Sequence, residues 1–144
     1  MSTPAQRHKA RHFAMQALYQ WQLTGLEPQE IIKQFEADND FSHVDIDYFK
    51  ELLSQVARNA ASLDETFEAY LQERSLAELD PITLALLRMA SHELVHRIDV
   101  PFQVVISEAV TLAKKFGAAD SHKFINAVLD QSAARLRAVE KQTR

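Results

Sequence analysis

The sequence predicts an all-α fold, a single-domain bundle of about six to seven helices. Three observations predict it. Only two glycines and four prolines punctuate 144 residues that are rich in Ala, Leu, Gln and Glu. No stretch of useful length alternates apolar and polar residues as a half-buried strand does. Apolar residues recur instead at helical spacing, and between Ile82 and Ala90 they fall on every side of the helical wheel, which marks a helix with neighbours all round. At 47% hydrophobic, a chain of this length buries a core without staples, so residues 1–144 read as one domain.

The first helix is expected from about Ala5 to Thr24, stopped by Gly25. Ala10, Phe13, Ala14, Ala17, Leu18 and Trp21 form its apolar side, while His8, His12, Met15, Gln16 and Tyr19 point away from it, flanked by Lys9 and Arg11. A large aromatic on a basic, acid-free face suits stacking of an unpaired RNA base while cations meet phosphates. An ordinary solvated helix face bearing one amphipathic tyrosine explains the same residues.

A short acidic helix follows near Gln29 to Ala37 and is broken by Asp38-Asn39-Asp40. The next, near Asp45 to Ala61, repeats Phe49, Leu52, Leu53 and Val56. Ser62-Leu63-Asp64-Glu65 reads as a capping box opening another helix that ends near Arg74, with Leu63, Phe67, Tyr70 and Leu71 inward. The acids of this region are scattered, which suits a charged solvent face. Asp80-Pro81 starts the central helix as N-cap and first residue, and Asp99-Val100-Pro101 ends it near Arg97. Val105, Ala109, Leu112 and Phe116 mark an amphipathic helix ending at Gly117. The last helix, from about Asp120-Ser121, carries Phe124, Ile125, Val128, Leu129 and Leu136 inward and frays into the basic tail from Arg135 to Arg144.

Composition removes several function classes. Without cysteine there is no thiol catalysis, disulfide or cysteine-ligated metal, and a reducing compartment fits. No Gly-rich phosphate loop or Gly-x-Ser-x-Gly elbow occurs. The N-terminus leads into no apolar leader region and no apolar run approaches membrane-spanning length, so a cytoplasmic protein is expected. The net charge of −4 conceals +3 over residues 1–26, −10 over residues 27–80 and +3 over residues 81–144. Such asymmetry suits one anionic and one cationic partner, or simply an uneven solvated surface.

His92-Glu93-Leu94-Val95-His96 matches the zinc-peptidase pattern, in which two histidines one turn apart hold the metal and the glutamate acts as general base. That reading needs a third ligand, for which Glu108 and His122 qualify only by residue type, and a neighbouring sheet, which the sequence does not predict. His92 and His96 are expected to be partly exposed, and no metal or other cofactor is expected. A helical interaction module that does not touch RNA is the other alternative.

At Lys114-Lys115-Phe116-Gly117-Ala118-Ala119-Asp120-Ser121-His122-Lys123-Phe124-Ile125-Asn126-Ala127-Val128-Leu129-Asp130 the chain closely resembles the NusB family of bacterial transcription antitermination factors. The resemblance extends to Ala14-Met15-Gln16-Ala17-Leu18-Tyr19-Gln20-Trp21-Gln22, Leu87-Arg88, Glu93-Leu94 and Asp99-Val100-Pro101-Phe102, and so to nearly the whole chain. It implies a non-enzymatic helical domain that binds the boxA element of nascent RNA with the small ribosomal subunit protein acting as NusE. The resulting RNA polymerase antitermination complex passes terminators, notably in ribosomal RNA operons. The implied RNA surface combines Arg7, His8, Lys9, Arg11, Gln16 and Tyr19 with Phe116, Gly117, Asp120, Lys123 and Phe124. Asp120 is expected to cap the last helix. Tyr70, Glu73, Arg74, Glu78 and Asp80 are implied for the protein partner, where the acidic middle of the chain suits a basic ribosomal protein. His8 and Lys9 stand where the family is often richer in arginine, which implies fewer bidentate phosphate contacts and an RNA affinity more sensitive to pH.

Overall fold

The computed structural model describes residues 2–142, so the end of the expected basic tail, Thr143 and Arg144, lies outside the described residues. Among these, seven α-helices and two short 3-10 turns occur, with no strand. The helices are α1 (Pro4–Thr24), α2 (Pro28–Asp38), α3 (Ile46–Phe67), α4 (Pro81–His96), α5 (Phe102–Phe116), α6 (Ser121–Leu136) and α7 (Ala138–Gln142). The chain divides into two compact units, Met1–Asn59 and Ala60–Arg144.

In the first unit, α1 begins at a capping box: the Gln6 amide donates to Thr3 Oγ1 at 3.1 Å and the Thr3 amide to Gln6 Oε1 at 2.9 Å. It ends at Gly25, whose φ of 70° is open to glycine at little cost. Phe13 stacks on Phe41 with centroids 4.9 Å apart and meets Phe35 edge-on, and Phe49 completes the aromatic cluster that seats α2 and the start of α3. Met15, expected to point outward, is buried. The covered arc of α1 is therefore wider than its apolar stripe, because a helix wheel reports which side is apolar and not how much of the circumference neighbours cover.

The expected helix start at Ser62 is displaced to a kink at Asn59, where two helices join to form α3. α3 runs on to Phe67, and only Asn59 leaves helical torsions, at φ −114° and ψ 20°. Its side-chain amide donates to the Gln55 carbonyl at 3.0 Å, satisfying an acceptor at the kink.

The second unit is built on α4. Asp80 caps it, accepting the Thr83 amide at 3.1 Å and the Thr83 hydroxyl at 2.7 Å, and Pro81 takes the first position. Every residue from Ala85 to Leu94 is buried except Arg88. α4 packs on α5 and α6, which also pack on each other. Asp64, expected on a solvent face, is buried and binds Arg88 through both carboxylate oxygens, each at 2.8 Å. An uncompensated charge at that depth costs several kcal/mol, about 3–5, so pairing decides where this acid can sit.

The expected fraying after α6 does not begin at Arg135. Arg137 is buried at the C-terminal end of α6 and α7 continues beyond it. The Arg137 guanidinium donates to the Leu94, Glu93 and Arg97 carbonyls at 2.8, 3.0 and 3.0 Å, the last two of which also accept the Arg97 and Val100 amides, so it adds donors at the C-terminal end of α4.

Candidate nucleic-acid interface

The residues expected to meet RNA fall in both units. On α1, Lys9 is exposed, His8 and Gln16 are half-buried, and Tyr19 keeps 38% of its surface accessible. Gln16 Nε2 donates to the His12 carbonyl at a long 3.4 Å, which leaves its amide loosely held. Arg7 and Arg11 depart from the solvated basic face expected of them. The Arg7 guanidinium lies 4.0 Å over the Tyr48 ring with Nε 3.4 Å from Asp45 Oδ2, and Arg11 lies 5.4 Å from the same ring at only 4% exposure. Arg11 is thus part of the wall behind the face, and Arg7, at 26% side-chain exposure, is its half-open edge.

Asp45 and Tyr48 were not legible as members of this site. Asp45 caps α3 by accepting the Tyr48 amide at 3.1 Å, a role its sequence position does suggest, but its meeting with Arg7 spans 38 residues and has no local signal. Burial works against ionisation of Asp45, yet hydrogen bonds from Ser2, the Tyr48 amide and Arg7, with the Arg7 charge, hold its carboxyl below the usual carboxylate range.

In the second unit, Lys114 and Lys115 stand exposed on the last turn of α5, and Lys115 Nζ lies 5.3 Å from the ring of half-buried Phe116. Gly117 turns the chain where a side chain does not fit. A Cβ there would overlap the Ser121 hydroxyl and come within 2.8 Å of the Ala113 carbonyl oxygen. Asp120 precedes α6, but in the left-handed region at φ 66° and without a side-chain capping bond, which corrects its expected capping role. Its carboxylate lies 3.4 Å from Lys123 Nζ, both side chains being about three-quarters exposed. Such a solvated pair is worth about 0–1 kcal/mol, so Lys123 is easily redirected to another anion.

Phe124 is buried at 8% exposure with the Arg74 guanidinium 4.2 Å over its ring. One residue expected at the protein partner thereby touches one expected at RNA. Around it, Tyr70 is half-buried, while Glu73, Glu78 and Asp80 are exposed. Glu78 closes a capping box with Ser75, whose amide and hydroxyl both donate to it at 2.9 Å, and the amide bond foremost holds its carboxyl below the usual range.

The zinc-peptidase pattern folds differently from its expectation. His92 and Glu93 are buried at 2% and 1% exposure, whereas His96 is exposed, so the two histidines, with rings 5.3 Å apart, do not share an open face. Among the described residues neither Glu108, His122 nor any other side chain joins them in a group of three that could hold a metal ion.

The NusB family profile matches residues 8–134. The chain is 57% identical over 138 residues to the transcription antitermination protein NusB of Teredinibacter turnerae, covering 96% of this chain and 94% of that one. It is 57% identical to the corresponding Saccharophagus degradans protein, covering 92% and 89%. Among solved structures, T. maritima NusB superposes with a TM-score of 0.83 at 27% identity over 99% of both chains. A crystal structure of antitermination factors NusB and NusE in complex with dsRNA gives 0.74 at 25% identity, over 90% of this chain and 97% of that one.

Proposed function

This chain belongs to the NusB family, and from that premise we propose that it is a transcription antitermination factor binding boxA RNA together with the small ribosomal subunit protein acting as NusE. In this role it promotes read-through by RNA polymerase, notably in ribosomal RNA operons. The observation that carries the reading is the NusB and NusE complex with RNA, whose fold matches 90% of this chain.

The protein acts by binding, in the cytoplasm, and catalyses no reaction. Its RNA residues are Arg7, His8, Lys9, Arg11, Gln16 and Tyr19 on α1, with Phe116, Gly117, Asp120, Lys123 and Phe124 around the start of α6. Exposed Lys9 and Lys123 suit phosphate, and exposed Tyr19 suits a base face. Arg11 and Phe124 are buried, and act by holding the exposed members in place. Tyr70, Glu73, Arg74, Glu78 and Asp80 meet the protein partner. Residues 1–144 act as one domain, a reading supported by a family match that runs through both units. No helix among the described residues is long and apolar enough to cross a membrane.

Titration with boxA RNA and with a scrambled strand, each alone and with the ribosomal protein, tests the proposal. Preference for boxA that tightens with the ribosomal protein is expected. Equal affinity for both strands in both settings overturns it.

A further inference from the structure

Arg7 lies in a stretch of 26 residues without an acid, yet its guanidinium meets a carboxylate supplied from 38 residues away. The acceptor is held firmly. Asp45 Oδ1 takes the Tyr48 amide at 3.1 Å, and the Asp45 amide donates to the Gln6 carbonyl at 3.2 Å, so the start of α3 is fastened beside the first turn of α1. The other carboxylate oxygen, Oδ2, stands 3.4 Å from Arg7 Nε, while the buried Tyr48 ring backs the guanidinium at 4.0 Å.

The cap does not explain the charge. Asparagine and serine cap helices about as well as aspartate, so helix α3 needs an oxygen here but no anion. What the anion adds is a negative oxygen at the edge of an arginine, which is also what an RNA phosphate offers.

We propose that Asp45 is an internal phosphate mimic that occupies Arg7 until an RNA phosphate displaces it. The inference rests on the reading of Arg7 as an RNA residue. Exchanging one anion for another returns less free energy than pairing an arginine that has none, so Arg7 adds little to loose, sequence-independent attachment. A strand must bring enough further contacts to drive the exchange, and Asp45 thereby raises discrimination at the expense of affinity.

The test measures affinity for boxA and scrambled RNA at several salt concentrations with wild type, Asp45→Asn, Arg7→Ala and the double variant. Asp45→Asn keeps the cap and removes the charge. It is expected to bind both strands about three- to tenfold tighter, with the scrambled strand gaining at least as much, as for loss of one partly exposed competing ion pair. The slope of log affinity against log salt should steepen by about 0.7, one further phosphate neutralised on a single strand. Arg7→Ala should cost little in wild type and should erase the gain in the double variant. Asp45→Ser, another uncharged cap, should change affinity in the same direction.

Unchanged or weaker binding by both Asp45 variants, or a gain that survives Arg7→Ala, overturns the inference. A wild type that does not prefer boxA overturns the family function instead, while the response of the scrambled strand to Asp45→Asn still decides the role of Asp45.

Discussion

Arg137 and Glu140 form an ion pair across one turn that joins three helix ends. Arg137 caps the last carbonyls of α4, and Glu140 Oε2 accepts the Phe102 amide at 2.9 Å, a donor at the start of α5 that Pro101 cannot cap with a side chain. Arg137→Ala should destabilise the protein by about 2–4 kcal/mol, because the buried Leu94 carbonyl and a part-buried carboxylate lose a charged donor together, while the Glu93 and Arg97 carbonyls each keep one backbone amide. Denaturant unfolding checks this. Lysine should not rescue, since it lacks the planar fork that reaches several carbonyls at once.

The Asp64 and Arg88 pair offers a contrast between breaking and replacing a buried charge pair. Asp64→Ala should cost about 3–5 kcal/mol by leaving Arg88 uncompensated, whereas Asp64→Leu with Arg88→Met should recover most of that loss. A double-mutant cycle of unfolding free energies reads both. Equal cost for the single and the double variant would contradict the ion-pair account.

Gly117→Ala places a methyl group against the Ser121 hydroxyl and the Ala113 carbonyl. A destabilisation of about 1–3 kcal/mol is expected from the forced shift. Adding Ser121→Ala should relieve only part of it, because the Ala113 carbonyl is backbone and stays in place. Thermal melting of the two variants makes the comparison.

Tyr19→Ala should weaken boxA binding by about 1–3 kcal/mol, the usual worth of one stacked base, and leave the melting temperature nearly unchanged because the ring is already 38% exposed. Lys123→Ala should weaken boxA and scrambled strands alike and flatten the salt dependence by about 0.7. Affinities measured across a salt series check both, and unchanged values would move the surface elsewhere.

The acid limb of stability carries a sign that follows from Asp45. Its carboxyl is held below the usual range in the folded protein, so the unfolded chain binds that proton more readily. The stabilisation is therefore complete above the ordinary aspartate value of about 3.9 and is lost as pH falls through the depressed folded value. Asp45→Asn should flatten the unfolding free energy below about pH 4 relative to wild type. Carboxyl chemical shifts followed by NMR should show Asp45, Asp40 and Glu78 titrating below their usual positions, Asp40 chiefly through the Ser42 amide and Glu78 chiefly through that of Ser75.

Much of the architecture was legible in the sequence because its signals are local. Gly25 ends α1 and Asp80-Pro81 opens α4 through torsions and capping bonds that span three or four residues. Apolar spacing placed α2, α5 and α6 to within a few positions, and the blocks around Tyr19 and from Lys114 to Asp130 carried the family resemblance. Tyr19, Lys9 and Lys123 were also correctly read as exposed, since long polar or amphipathic side chains seldom go under without a partner.

By itself, then, the sequence determined an all-helical chain, those helix boundaries that local caps mark, and the family to which it belongs. Only the tertiary structure decided which charges go inside. Asp64 and Arg137 are buried, and Arg7 is held by Asp45, because partners 24, 43 and 38 residues away reach them, while buried Arg11 lies over the ring of Tyr48. Helical periodicity tells which side of a helix is apolar. It does not tell which distant side chain will compensate a charge, and that compensation sets the free energy of burying it.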